Sequence, residues 1–168
     1  MKEFTKHYHT GKLRSMASVY LRKNDKILLL YRQGCSIVSN LWIGSAGGHF
    51  EMPELHDAKA CVLRELQEEL GLTEDALHNF SLRYITLRYT DGEIRQNYYF
   101  FADLKYQNTD TFVSTEGITK WYSLNELEDI PMPFTARYVV NHYIRIGQYN
   151  DELYGGLAHS DGVIFNKL

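Results

Sequence analysis

Residues 47–72 constrain this chain more than any other segment, because a glycine-rich strand end is followed there by a strongly patterned helix. A helix is predicted from about Asp57 to Leu70, with Asp57 as its N-cap. Gly71 lies where a helix often ends in a left-handed residue. Apolar residues about one turn apart predict the buried stripe of this helix; they are Ala60, Leu63, Leu66 and Leu70.

Three glutamates of this helix, Glu65, Glu68 and Glu69, are spaced so that they share one face. Like charges at this spacing destabilise a helix by roughly 0.2–0.5 kcal/mol per pair, and negative charge near a helix C-terminus is also unfavourable. Arg64 can reach Glu68, but one guanidinium does not balance three carboxylates. An acidic, solvated helix is the simpler explanation. The accompanying glycines favour the alternative, a site for the hard cations Mg²⁺ or Mn²⁺.

The rest of the chain is predicted to be mostly strands with one more helix. Turn signals at Asn24-Asp25 and Asp91-Gly92 predict hairpins. The second helix is predicted over Phe134–Tyr149, and the strands over 15–21, 26–32, 41–50, 82–89, 94–104, 120–123 and 163–165. This order predicts a single α/β domain over residues 1–168, an α/β/α sandwich with a mixed sheet between helices.

Composition excludes several classes of protein. The chain has 168 residues, 44% hydrophobic and 23% charged, as in ordinary globular proteins. A net charge of −3 argues against a bulk electrostatic grip on nucleic acid. No apolar run approaches the ~20 residues of a membrane span, and the charged N-terminus is unlike a secretory signal. Cys35 and Cys61 match no zinc pattern and are expected to be reduced. We therefore expect a cytoplasmic protein without nucleic-acid or membrane partners, and a homodimer stays open.

The segment 47–72 resembles the signature of the Nudix hydrolases, G-x5-E-x7-R-E-U-x-E-E-x-G-U, in which U is a bulky apolar residue. Its opening is matched by Gly48 and Glu54. Its second half is matched throughout by Arg64, Glu65, Leu66, Glu68, Glu69, Gly71 and Leu72. The resemblance also implies the α/β/α fold of this family.

The chain departs from the signature at one point. Nine residues rather than seven separate Glu54 from Arg64. We interpret this as a two-residue insertion between Met52 and Asp57, which leaves the helix untouched. A fixed spacing would instead align His56 with the acidic position.

The resemblance implies an enzyme that hydrolyses a nucleoside diphosphate linked to another group, X, using Mg²⁺ or Mn²⁺. Glu65 and Glu69 are then the principal metal ligands, Glu68 is a further ligand or a catalytic group, and Arg64 orients the carboxylates. The backbone carbonyl around Gly47 completes the ligand set. A bound cation would make water a better nucleophile.

A general base is implied outside the helix. In MutT-type members a Glu precedes a strand that contains Trp, and the matching stretch STEGITKWYSL nominates Glu116. A turn role before Gly117 is the alternative for this residue.

Substrate recognition is weakly encoded. Trp42 and Phe134 are candidates for stacking on a base, with core packing as the alternative for Trp42. Glu54 is placed with the substrate-binding residues. Three arginines are candidates for binding phosphates, although solvated strand positions are the favoured interpretation for each: Arg32, Arg88 and Arg95.

Three functions are compatible with these residues. The first is hydrolysis of a (deoxy)nucleoside triphosphate, including oxidised purines such as 8-oxo-dGTP. The second is hydrolysis of a larger nucleoside diphosphate derivative, such as a sugar or dinucleotide compound. The third is nucleotide sensing without turnover, which is disfavoured because Arg64, Glu65, Glu68 and Glu69 are all present.

Overall fold

A computed structural model describes residues 12–32, 40–105 and 111–168. Cys35, for which a reduced thiol was predicted, lies outside the described residues. Nine strands form in the described parts: β1 Lys12–Lys23, β2 Lys26–Arg32, β3 Leu41–Ile43, β4 Ala46–His49, β5 Leu77–Thr90, β6 Glu93–Leu104, β7 Gly117–Ser123, β8 Tyr154–His159 and β9 Gly162–Lys167. The α-helices are α1 Ala58–Leu70 and α2 Phe134–Arg145, and short 3₁₀ turns cover Met52–Glu54, Glu74–Ala76, Leu124–Asp129 and Gly147–Tyr149.

The strands form a mixed sheet in the order β3-β2-β1-β6-β5-β8-β9, with β4 also paired to β1 and β7 to β2. β1 pairs with β6 in parallel, as β5 does with β8. The other pairs are antiparallel. Both predicted hairpins form, and Asn24, Asp91 and Gly92 adopt the positive φ angles that tight turns require.

The sheet has a hydrophobic core on each face. Because side chains alternate along a strand, Tyr20 of β1 packs on the α2 side, while its neighbours Val19 and Leu21 pack on the α1 side. Val139 of α2 belongs to the first core and Leu66 of α1 to the second. This arrangement confirms the predicted α/β/α sandwich with a mixed sheet. No helix in the described ranges is long and apolar enough to cross a bilayer.

The C-terminal part of the chain differs from the prediction in two respects. The second helix stops at Arg145 instead of Tyr149, because the chain turns to bring Gly147 against the Tyr84 hydroxyl, where a Cβ would overlap. The prediction also omitted β8. This strand contains two adjacent glycines, which weaken its propensity, and it forms because it pairs with β5 and β9.

Candidate active site

Helix α1 presents its acidic face towards β4. The Asp57 side chain accepts a hydrogen bond from the Ala60 N–H at 2.9 Å, and Gly71 ends the helix with φ +67°. The buried face of α1 differs from the apolar stripe that the sequence predicts. Ala60 is exposed, whereas Glu69 is buried. The buried apolar positions are Cys61, Val62, Leu66 and Leu70.

Glu69 is a buried carboxylate, with only 5% of its surface exposed. Its Oε2 accepts a hydrogen bond from the Gly47 N–H at 3.1 Å. Burial raises the pKa of Glu69 to about 7, and the negative charges of Glu65 and Glu116 add to this rise. Gly47 must be glycine, since a Cβ there would lie 2.5 Å from the Ala17 carbonyl oxygen. β4 therefore packs closely against β1, and the backbone of β4 contacts Glu69 at Gly47.

Glu65 lies beside Glu69 and depends on a different glycine. A Cβ on Gly48 would overlap the Glu65 carboxylate, so the missing side chain leaves room for it. The pKa of Glu65 is raised above its ordinary value because the carboxyl is partly buried, and the hydrogen bond from Arg64 offsets part of this rise. The two glycines that follow one another in β4 therefore serve two neighbouring carboxylates of α1.

Arg64 holds this acidic group together. Its Nε and Nη2 donate to the two oxygens of Glu54 at 2.6 and 3.0 Å, a bidentate pair. Its Nη1 donates to Glu65 Oε1 at 2.8 Å and Glu68 Oε2 at 3.1 Å. Its Nη2 also donates to the His49 carbonyl at 3.1 Å. Arg64 is thus fixed by five hydrogen bonds to oxygen.

Glu54 lies next to Arg64, in the short 3₁₀ turn before α1. It is buried, and its Oε2 also accepts from the Glu51 N–H at 2.9 Å. The hydrogen bond from Arg64 is the main reason that its pKa falls to about 2. Glu54 was placed with the substrate-binding residues, but its oxygens are engaged by Arg64 and it lines neither of the two cavities described next.

The first cavity, of about 360 Å³, is the carboxylate cavity. Its wall includes Glu65, Glu68, Glu69, Arg64, Gly47 and Glu116. Glu116 accepts a hydrogen bond from Arg32 Nη2 at 2.9 Å, so an ion pair holds its carboxylate. The structure therefore brings Glu116 to the same cavity as the α1 carboxylates, although about 50 residues separate them in the sequence.

The donor set of the carboxylate cavity fits a divalent cation. One oxygen of Glu65 and one of Glu69 receive hydrogen bonds, and no described group donates to the other oxygen of either. Glu68 is 58% exposed at its side chain and pairs with Arg64. Among the described residues, no three His, Cys, Asp or Glu side chains already form a complete ion site. Mg²⁺ commonly takes only one or two carboxylates and completes its shell with water and substrate phosphates.

The second cavity, of about 390 Å³, is the arginine cavity. It shares Arg32, Gly47 and His49 with the carboxylate cavity. Phe134 and Thr135 at the start of α2 line it, so the predicted Phe134 lies in a cavity wall. One contact of the Phe134 ring is the Arg88 guanidinium, 4.4 Å from its centroid.

Trp42 does not line either cavity. Its ring packs between Tyr31 and Tyr122, with centroid distances of 5.0 and 4.9 Å, against the α2-side core. Its backbone N–H donates to the Pro131 carbonyl at 2.9 Å. This is the core-packing alternative that the sequence left open.

The arginine cavity contains three arginines that the sequence analysis considered, together with Arg14 and His49, which it did not single out. Arg32, Arg88 and Arg95 are partly buried in its wall, which differs from the solvated positions expected for them. Arg14 Nε donates to His49 Nε2 at 2.6 Å. Burial, followed by the charges of Arg14 and Arg32, lowers the pKa of His49. Only strand register could have revealed Arg14 and His49, because it decides which side chains stand opposite each other.

Comparison with known proteins bears on the family and the fold of this chain. The chain matches the family model described as the NUDIX domain over residues 12–143. No curated protein sequence matches it significantly. Among solved structures, it is similar to the mutator MutT protein from Bacillus halodurans, with 21% identity, a TM-score of 0.67, and coverage of 91% of this chain and 97% of that one.

Two further structures extend the range of relatives. A MutT Nudix hydrolase from Burkholderia pseudomallei is 20% identical, with a TM-score of 0.58 and coverage of 77% and 97%. An Ap4A hydrolase from C. elegans is 17% identical, with a TM-score of 0.61 and coverage of 83% and 99%. At these identities the structures establish the fold and leave the substrate open.

The chain belongs to the Nudix family, and it is a hydrolase. Nudix hydrolases act on small molecules and generally use divalent metal ions.

Proposed function

We propose that this Nudix hydrolase is a Mg²⁺-dependent pyrophosphohydrolase that cleaves a nucleoside diphosphate linked to X, with Mn²⁺ as an alternative cation. The observation that carries the proposal is the pair Glu65 and Glu69, each with one carboxylate oxygen that no described group hydrogen-bonds. Both lie in a cavity joined through shared residues to a second, more apolar cavity. A diphosphate at the carboxylates and the rest of a nucleotide in the second cavity would occupy both.

In the proposed reaction, water adds to a phosphorus atom, the P–O–P bridge breaks, and the leaving phosphate departs with the bridging oxygen. A divalent cation at Glu65 and Glu69 would supply positive charge to the phosphate oxygens and acidify water. Arg64 keeps Glu65 oriented through a charge-assisted hydrogen bond. Glu116 is the candidate to accept the proton, and its ion pair with Arg32 holds it in the cavity wall.

Nucleoside triphosphates, including oxidised purines such as 8-oxo-dGTP, are the first candidate substrates. Phe134 in the wall of the arginine cavity supports this choice, because an aromatic ring can stack on a base. Larger nucleoside diphosphate derivatives are the second candidate. Four arginines in the same wall favour them, since a neutral base alone would not offset that charge.

The test is a hydrolysis screen of nucleotides with Mg²⁺ or Mn²⁺, with products identified by mass spectrometry. We expect Glu69→Gln to lose on the order of 100-fold in kcat/KM. The substitution replaces one carboxylate oxygen of the proposed cation site by an amide nitrogen. Glu74→Gln is the matched control, since Glu74 is half exposed and pairs with Lys59 on the surface. Unchanged hydrolysis by Glu69→Gln, in protein of normal melting temperature, would contradict the ligand assignment.

A further inference from the structure

Three arginines stand opposite one another on adjacent strands. Arg14 of β1 is the register partner of Arg95 of β6, and Arg95 is the register partner of Arg88 of β5. All three line the arginine cavity. We call them the arginine row.

The arginine row is unfavourable in the protein by itself, since like charges directly opposite on neighbouring strands repel. Glu93 lies 3.5 Å from Arg14 Nη1 and from Arg95 Nε, so one carboxylate serves both. Asp91 is 3.9 Å from Arg95 and 84% exposed at its side chain, where water screens its charge. In the described ranges, no carboxylate lies within ion-pair distance of Arg88. The row therefore keeps an excess of positive charge.

The row is held in place and connected to the carboxylate cavity. The Arg88 guanidinium lies over the Phe134 ring, a contact that fixes it at the cavity wall. At the other end, Arg14 donates to the ring of His49, and the carbonyl of His49 accepts from Arg64. A single residue thus links the arginine row to the group that positions the α1 carboxylates.

We propose that the arginine row binds a second phosphate of the substrate, one that lies outside the diphosphate to be cleaved. This rests on the proposed function for the reaction itself. Guanidinium forks match phosphate oxygens in pairs, and a dianion would neutralise the charge that Glu93 leaves unbalanced. The substrate class is then a nucleoside diphosphate derivative with an additional phosphate. A nucleoside triphosphate has no such additional phosphate, because its three phosphates form one continuous chain that would lie at the α1 carboxylates.

The experiment compares substrates that differ by one phosphate: NADPH with NADH, coenzyme A with dephospho-coenzyme A, and ADP-ribose 1″-phosphate with ADP-ribose. We expect at least one phosphate-bearing member to show a KM lower by about tenfold or more, as charge-assisted contacts to phosphate provide. Arg88→Gln and, separately, Arg95→Gln should abolish that preference, so that the KM values of the two members of a pair become nearly equal.

The control is Arg137→Gln, an exposed arginine of α2 that does not line the cavity. It should keep the preference. Melting temperatures establish that each variant is folded. Because the two row variants are tested separately, one of them still tests the proposal if the other fails to fold. No preference in any pair, a preference that survives both row variants, or one that Arg137→Gln also removes would overturn the proposal.

Calorimetric binding of the same pairs in EDTA separates this proposal from the proposed function, because turnover stops without a divalent cation. Selective binding that depends on Arg88, in a protein that hydrolyses nothing with Mg²⁺ or Mn²⁺, would support the row and overturn the pyrophosphohydrolase. Hydrolysis without any selective binding or KM preference would overturn the row and leave the pyrophosphohydrolase standing.

Discussion

Arg64 links the acidic residues of the candidate active site to the loop in front of α1. It donates to Glu54 on one side and to Glu65 and Glu68 on the other. Because Glu54 is buried, its charge depends on Arg64 for compensation. Glu54, which matches the first acidic position of the Nudix signature, therefore contacts the α1 carboxylates only through Arg64 in the hydrogen bonds described.

Glu54→Gln should lower the free energy of unfolding by about 2 kcal/mol near neutral pH. The pKa of Glu54 is lowered to about 2 in the folded protein. Its contribution is therefore present above the ordinary carboxyl pKa, and it is lost as pH falls through the folded value. Urea unfolding at neutral and acidic pH measures the difference between parent and variant, which should shrink on acidification.

Glu74→Gln serves as the control for this prediction, because an ion pair that is half exposed contributes about 0–1 kcal/mol. If Glu54→Gln and its parent lost stability in parallel as the pH falls, Glu54 would not carry the lowered pKa.

The two glycines of β4 should respond differently to alanine. Gly47→Ala places a Cβ 2.5 Å from the Ala17 oxygen and 2.7 Å from Ser18 Cα, so backbone must shift at a cost of about 1–3 kcal/mol. The three atoms nearest to a Cβ on Gly48 all belong to the Glu65 carboxylate, at the end of a side chain that can turn away. We expect Gly48→Ala to keep its stability but to bind Mn²⁺ more weakly, measured by unfolding and by calorimetry. Equal losses of stability in both variants would contradict this account.

At the scale of elements, α1 is defined by its two ends. The Asp57 side chain caps the first turn, and Gly71 adopts φ +67° with its N–H bonded to the Gln67 carbonyl at 3.0 Å. Glu69 lies within the last turn, so the end of the helix fixes where this carboxylate points.

Gly71→Ala should destabilise the protein by about 1 kcal/mol, because a Cβ is strained in the left-handed region. There is open space around the position, so the cost comes from the backbone and not from a clash. Thermal and urea unfolding measure it. Gln67→Ala, an exposed interior position of the same helix, is the control and should change stability little. A variant as stable as the parent would contradict the role of the left-handed cap.

At the scale of the whole molecule, the sheet brings together groups from distant parts of the chain. The carboxylate cavity combines α1, β4, the end of β2 and the segment before β7. The arginine cavity combines β1, β4, β5, β6 and the start of α2. A ligand that spans both cavities would therefore stabilise the fold as a unit.

Mn²⁺ or Mg²⁺ should raise the melting temperature of the parent protein and raise that of Glu69→Gln much less. A ligand that binds only the folded state at 100 times its Kd adds about 2.7 kcal/mol, and each kcal/mol shifts the midpoint by roughly 2–4 °C for a chain of this size. Differential scanning calorimetry measures the shift, in buffers that contain no other divalent cation. Equal shifts in both proteins would place the cation elsewhere.

The sequence by itself determined α1, its two caps, the acidic cluster and the two hairpins, because these depend on residues close together in the chain. The family resemblance was likewise carried by one short segment. β8 could not be predicted, because its two glycines give it little strand propensity and its pairing with β5 stabilises it.

Only the tertiary structure decided how deeply Glu69 is buried, that Glu54 engages Arg64, and that Arg14, Arg95 and Arg88 stand in a row. Burial and strand register are set by contacts between residues far apart in sequence. Local propensity carries no record of them, since shifting a strand by one residue would turn its side chains to the other face.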